Sequence, residues 1–265
     1  MSYKLGFIGC GNMGSALLRT AVKSVSATDI AICDLDKKKA LALASECKAW
    51  AVDIQEIATA CKFIVLGVKP QNAQSTLADI APILKTRKDA VIVSMLAGTS
   101  IAEIRTLIGA DIPVIRIMPN TPALVGEGMI LYTLSGVNIA VENEFLSAFV
   151  KAGKFDKITE DKMDASSALS GCGPAFIYAF AEALADGAVE CGVPRDKANL
   201  YVAQTLKGAG EMLLAFGNPA SLKDAVCSPG GTTIAGMHAL EKAGFRGGVM
   251  DAVTTAYEKT LSLKK

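Results

Sequence analysis

Lys4-Leu5-Gly6-Phe7-Ile8-Gly9-Cys10-Gly11-Asn12-Met13-Gly14-Ser15 decides the architecture of this 265-residue chain. A short apolar run reads as a buried strand, and three glycines follow it in a G-x-G-x-x-G spacing. Gly9 suits a tight turn, Gly11 lets backbone approach a pyrophosphate, and Gly14 permits close packing of helix on strand. Ser15-Ala16-Leu17-Leu18 then starts a helix whose N-terminal dipole favours that pyrophosphate. The spacing alone is a weak signal. Here it has its context: a strand before, a helix after, and a second strand at residues 30–33 ending in an acid. Gly9, Cys10, Gly11, Asn12, Met13 and Gly14 are therefore expected to contact a dinucleotide.

The acid is Asp34, twenty residues past Gly14. A carboxylate there accepts from the adenosine ribose hydroxyls and repels a 2′-phosphate. Lys37, Lys38 and Lys39 follow at once and could neutralise one; equally, Asp34 and Asp36 could cap the next helix, with the lysines as its solvated face. The residues predict a nicotinamide dinucleotide, NADPH or NADH, with a slight lean to NADH.

Strands and helices go on alternating. Residues 63–68 form a continuous apolar run, as a strand buried on both faces should, and lead into Val68-Lys69-Pro70. Residues 90–95 lead to Leu96-Ala97-Gly98-Thr99 and a helix through Leu107; residues 114–117 lead to Met118-Pro119-Asn120-Thr121-Pro122. Strand carboxyl ends face the ligand in a doubly wound sheet, which places Val68, Lys69, Pro70 and Ala97 beside the cofactor. Lys69 reads as a phosphate or capping lysine rather than a base. Asn120, held between prolines, offers both a donor and an acceptor. Residues 130–132, a helix near 142–151 and a strand near 155–158 complete the sheet.

Past Thr159 the periodicity turns helical. One helix runs from Pro174 through Glu190, and its Ala175, Ala179, Ala183 and Gly187 place small residues at i+4 spacing, which lets helices approach closely. Others span about 195–216, 221–226, 232–241 and a final stretch to Leu263. The expected fold class is α/β: an N-terminal Rossmann-type doubly wound sheet (residues 1–160), then an all-helical C-terminal domain (residues 161–265). So much small apolar surface is marginal alone, and pairing with a second copy is expected.

Asp224 to Glu241, D-A-V-C-S-P-G-G-T-T-I-A-G-M-H-A-L-E, carries the remaining chemistry. Pro229 fixes φ, Gly230 and Gly231 allow positive φ and close approach, and Thr232 and Thr233 open a helix. Free N–H groups at a helix start suit a carboxylate; the plainer reading is a helix connection with a threonine cap. His238, the only histidine, sits on an apolar-periodic face and reads as structural rather than as a general acid.

S-P-G-G-T-T-I-A-G-x-x-x-L-E resembles the signature of the pyrroline-5-carboxylate reductases. Ser170-Gly171-Cys172-Gly173-Pro174-Ala175-Phe176 is similar to that family's S-G-S-G-P-A-Y, with Cys172 for serine and Phe176 for tyrosine. The resemblance spans essentially the whole chain. It implies hydride transfer from NAD(P)H, often NADPH, to a cyclic imino acid, giving L-proline. It also implies that V-K-P and M-P-N-T-P line the nicotinamide side, with Asn120 against cofactor or substrate. It further implies an intertwined homodimer through the C-terminal helices, and in many members a ring such as a decamer of five dimers. Such a reaction needs an anchored carboxylate and a held ring nitrogen, not a strong base. Backbone near Gly230, Gly231, Thr232 and Thr233, with Ser228, is expected to bind the carboxylate, and Thr233 to be the catalytic group at the ring nitrogen.

Composition narrows the alternatives. A net charge of +1 shows no basic bias, so no nucleic-acid partner is expected. Seven scattered cysteines without a C-x-x-C pair read as small hydrophobes in a reducing compartment, and with one histidine they offer no metal site. No signal peptide is apparent and no run approaches the ~20 apolar residues of a membrane span. A cytoplasmic enzyme is expected. A lactate-type dehydrogenase would need an interdomain histidine base, and a 3-hydroxyacid dehydrogenase a lysine on the long interdomain helix. No lysine lies between Lys162 and Lys197. A non-enzymatic dinucleotide sensor would keep the glycine loop but need no S-P-G-G-T-T block.

Overall fold

The computed structural model describes residues 2–262. Its first part alternates strand and helix: β1 (Tyr3–Ile8), α1 (Asn12–Ala21), β2 (Ile30–Cys33), α2 (Lys37–Cys47), β3 (Trp50–Ala51), α3 (Ile54–Ala60), β4 (Cys61–Leu66), α4 (Ala73–Leu84), β5 (Val91–Ser94), α5 (Ile101–Ile108), β6 (Val114–Met118), β7 (Gly128–Ser135), α6 (Ile139–Phe149) and β8 (Gly153–Lys157). Helices alone follow: α7 (Met163–Ser170), α8 (Gly173–Glu190), α9 (Arg195–Phe216), α10 (Pro219–Val226), α11 (Thr232–Lys242) and α12 (Phe245–Ser262). The strands form one sheet in the order β3-β2-β1-β4-β5-β6-β7-β8. Neighbours run parallel except β6 and β7. Too few residues join those two for a crossover helix, and a short link favours an antiparallel pair. The order reverses between β1 and β4, so the crevice at a doubly wound sheet's switch point opens there.

Side chains alternate across the central strands, so each face is apolar. Leu5, Phe7, Phe63 and Val65 join Leu17, Leu18, Phe145 and Phe149 on one side. Ile8, Ile64 and Leu66 join Ile57, Leu77, Ile80 and Ile104 on the other. Phe145 lies 5.2 Å from Phe149 and 5.8 Å, edge-on, from Phe155 between ring centres, contacts worth about 0.5–1.5 kcal/mol each beyond their burial. Local signals set the helix starts. Asp36, Asp53, Asn138 and Asn218 each accept first-turn N–H groups, and Ser100 forms a reciprocal capping box with Glu103.

One charged side chain breaks the apolar rule. Arg116, in β6, is 2% exposed. Its guanidinium donates to Asp164 Oδ1 at 3.1 Å and Glu160 Oε1 at 3.2 Å, tying the approach to α7 onto the sheet. Glu160 Oε1 also accepts the Ile101 N–H at the start of α5.

Burial pushes the Cys33 and Cys61 thiols up to about 12. An unfolded chain releases these protons near pH 9 while the native chain keeps them, so stability falls as pH rises from about 9 towards about 12. Urea midpoints at pH 8 and pH 10.5 should show it: the second is expected to be lower, and equal midpoints would contradict the burial.

The chain divides into two compact units, one ending at Cys172 but regaining residues from Tyr257 onward, the other Gly173–Ala256. In the second unit only Ala185 and Ala198 are buried among the described residues. Ala175, Ala179, Ala183 and Gly187, the small-residue face of α8, all lie exposed. A groove of about 1070 Å³ lies alongside, lined by Ala175, Tyr178, Glu182, Arg195, Val202 and Leu206 among others. The stretch Glu160–Glu190 is, by length and composition, long and apolar enough to cross a bilayer, with 17% of its most apolar window buried in the chain. This corrects the expectation that no run approaches a span. The stretch is two helices, α7 and α8, separated at Gly171 and Cys172.

Candidate functional site

In the first unit, the parallel strands bring the predicted cofactor residues to one edge of the sheet. Gly9 to Gly14 follow β1, Asp34 follows β2, Val68 to Pro70 follow β4, Ala97 follows β5 and Asn120 follows β6. The loop after β1 is built by close backbone approach. Gly9 takes φ +103°, and a Cβ there would lie 2.7 Å from the Gly67 carbonyl. A Cβ on Gly14 would collide with the Gly9 carbonyl oxygen, whereas one on Gly11 would meet only Gly67 O at 3.8 Å. Two glycines are thus pressed into protein and the middle one is open, which is the cradle a pyrophosphate needs. Gly11 is the N-cap of α1 with no side-chain cap and no acid in the first turn, which leaves its first-turn N–H groups available to an anion. The residues fit a dinucleotide.

Hydrogen bonds fix the loop to its neighbours. Gly9 N–H donates to Cys33 O and Gly67 N–H to Ile8 O, each at 2.8 Å, and Ser15 Oγ donates to Cys10 O at 3.0 Å. Asp34 Oδ2 accepts the Cys10 N–H at 2.6 Å. Burial, with Asp34 adding to it, pushes the Cys10 thiol up to about 12, so it stays protonated at neutral pH. Asp36 rather than Asp34 caps α2. Gly67 escaped the sequence reading, and Ser15, read there as the start of the helix, instead ties the loop from within α1, which begins at Asn12. Gly67 could have been found in Leu66-Gly67-Val68, had the pairing of β1 with β4 been known.

Asn120 is 8% exposed, and its amide is engaged at both ends. Its Nδ2 donates to Ser170 O at 2.8 Å, and its Oδ1 accepts the Met129 N–H at 3.0 Å. Lys69 is exposed and precedes the 3-10 turn Pro70–Asn72; Val68 and Ala97 are half-buried.

In the second unit, Ser228-Pro229-Gly230-Gly231 folds as a tight turn. Gly231 N–H donates to Ser228 O at 3.0 Å, and Gly230 takes φ +69°. Proline at the second position and positive φ at the third follow the type II pattern. A Cβ on Gly231 would collide with Ser228 Oγ. Helix α11 begins at Thr232 with Gly231 as N-cap, no side-chain cap and no first-turn acid. The threonine-cap reading is therefore incorrect: the first-turn N–H groups are left for another acceptor. Thr233 is half-buried; Thr232 and Ser228 are exposed. His238 is exposed in the single chain too. No group of three or more His, Cys, Asp or Glu suited to a metal occurs among the described residues.

A pyrroline-5-carboxylate reductase of Escherichia coli is 38% identical over 270 residues, covering 100% of both chains. The chain belongs to the pyrroline-5-carboxylate reductase family. The Pisum sativum pyrroline-5-carboxylate reductase is also 38% identical, over 99% of this chain and 96% of its own. The crystal structure of the Plasmodium falciparum pyrroline carboxylate reductase with NADP bound superposes with a TM-score of 0.89 at 35% identity, covering 99% of this chain and 98% of that one. Family models match in two places: pyrroline-5-carboxylate reductase dimerisation at residues 160–263, and NADP oxidoreductase, coenzyme F420-dependent, at residues 4–98. As a pyrroline-5-carboxylate reductase family member, the chain is an NAD(P)H-dependent oxidoreductase with a homo-oligomerising helical region.

Proposed function

We propose that the chain reduces the C=N bond of 1-pyrroline-5-carboxylate to L-proline with NADH or NADPH, the last step of proline biosynthesis. The observation that carries this is the uncapped start of α11 behind the Ser228–Gly231 turn, whose first-turn N–H groups suit a carboxylate. The backbone turn at Gly230 and Gly231 presents the N–H groups of Thr232 and Thr233, which with the Ser228 hydroxyl hold the substrate carboxylate. The Thr233 hydroxyl hydrogen-bonds the ring nitrogen and relays a proton to it. The bound nicotinamide supplies the hydride. Gly9 to Gly14 seat the pyrophosphate; Asp34 meets the adenosine ribose; Val68, Lys69, Pro70 and Ala97 line the cofactor. Asn120, its amide fixed by Met129 and Ser170, contacts cofactor or substrate through the second lone pair of Oδ1. A protonated imine is already electrophilic, so positioning accounts for most of the rate effect.

The division into a dinucleotide domain (1–160) and a substrate-binding and dimerisation domain (161–265) is supported by the all-helical run after β8, although α7 packs with the first compact unit. Pairing of α8 faces into an intertwined homodimer, and of five dimers into a decamer, belongs to the same reading. So does a cytoplasmic location without membrane attachment, a setting that seven scattered thiols suit.

The test follows nicotinamide absorbance with racemic pyrroline-5-carboxylate. Substrate-dependent oxidation with L-proline as product is expected; no oxidation by protein that binds dinucleotide would reject the substrate. Thr233→Ala is expected to lower turnover by about one to two orders of magnitude, the scale of one hydrogen bond to a charged centre, with nucleotide affinity unchanged. Turnover equal to that of the parent would remove the role assigned to its hydroxyl.

A further inference from the structure

We propose that this chain selects NADH over NADPH, and that Asp34 is the residue that discriminates between them. The inference rests on the dinucleotide reading of the glycine loop and deepens it. At the carboxyl end of β2 both oxygens of Asp34 are held: Oδ2 accepts the Cys10 N–H at 2.6 Å, and Oδ1 the Asp36 N–H at 2.8 Å. The carboxylate belongs to the wall of the loop and cannot rotate away from a nucleotide docked on it. A ribose 2′-hydroxyl can donate to its remaining lone pairs; a 2′-phosphate brings like charge to the same place.

Compensating partners for a phosphate are already used. The first turn of α2 is the nearby source of helical N–H groups, and Asp36 Oδ1 takes those of Lys38 and Lys39 at 3.0 and 3.3 Å. A second carboxylate thus stands where an anion would dock. Arg19, the only arginine on α1, stands in that helix's last turn, away from the glycine loop, and is paired with Glu46 through Nε and Nη2 at 2.6 and 2.9 Å, so it does not serve a phosphate there. Lys37, Lys38 and Lys39 are exposed, and Lys39 Nζ lies 4.0 Å from Asp36. Solvated lysines offset little, because exposed ion pairs contribute only about 0–1 kcal/mol. Two fixed acids against three solvated cations favour the hydroxyl. The NADP in the Plasmodium relative shows that the family admits the phosphate, so the discrimination belongs to the β2 end of this chain.

Calorimetric titration of the full chain with NADH and NADPH, at about 0.1 M and 1 M salt, tests this without turnover. NADPH is expected to bind at least tenfold more weakly, with the gap narrowing at high salt as the Debye length falls from about 10 Å to about 3 Å. Asp34→Ser should shrink the ratio at least fivefold; the ratio is the readout because the Cys10 N–H also loses its acceptor. The double change Lys37→Ala with Lys38→Ala should leave it within twofold. Equal or tighter NADPH binding by the parent, a ratio unmoved by Asp34→Ser, or NADPH binding lost selectively in the lysine variant would each overturn the proposal. Failure of folded protein to bind either nucleotide would instead remove the dinucleotide reading beneath it.

Discussion

Gly14→Ala is expected to weaken dinucleotide binding by about 100-fold or more, and to lower stability by about 1–3 kcal/mol. The sign is the informative part. Alanine in place of glycine inside a helix ordinarily adds about 0.5–1 kcal/mol of stability. In α1 the added Cβ would enter the Gly9 carbonyl oxygen, and the Gly67 backbone lies just behind, with its Cα 3.9 Å away. Neither is the end of a flexible side chain. Either α1 or the β1 loop must shift, and losing one or two N–H bonds to the pyrophosphate, at about 1.5–3 kcal/mol each, costs about 100-fold or more in affinity. Nucleotide titration together with urea unfolding measures both effects. A variant that gains stability and binds like the parent would show that helix and loop do not meet as described.

The second large effect concerns the buried cation. Arg116→Leu is expected to cost about 3–5 kcal/mol, because it leaves buried acid behind while removing the charge that faces it. The two acids differ in what they lose. The Glu160 side chain is 36% exposed and can be hydrated, whereas that of Asp164 is 5% exposed. Adding Asp164→Leu should therefore recover much of the loss, since well-packed apolar groups commonly replace a buried ion pair at little net cost. Chemical denaturation of the single and double variants checks both; a single variant within about 1 kcal/mol of the parent would refute the account.

Legibility in the sequence followed the range of the interactions. The glycine loop, the strand edges and the start of α11 were readable because each depends on residues within a few positions of one another. The type II turn needs only Pro229 and Gly230 in order, and the helix behind it only Thr232 onward. Asp34 was readable as an acid at the right distance, but not as a group anchored to Cys10 across the loop. Asn120 is fixed by Ser170, fifty residues further on, and Arg116 by acids more than forty residues on. An arginine within Val114-Ile115-Arg116-Ile117 carries no local sign that it will be buried and paired. Helical periodicity around His238 marked an apolar face, but a face is buried only where something packs on it, and in the single chain His238 is exposed.

The two buried alanines of the helical unit bear on how the chain would be handled at the bench. A part of the chain with so small an interior of its own draws its stability from whatever covers its faces, and in a homo-oligomer that is another molecule of the same kind. Dilution then acts on it as a denaturant does. Its melting temperature is a function of how much protein is in the tube, and figures taken at nanomolar assay concentrations and at calorimetric ones describe different populations.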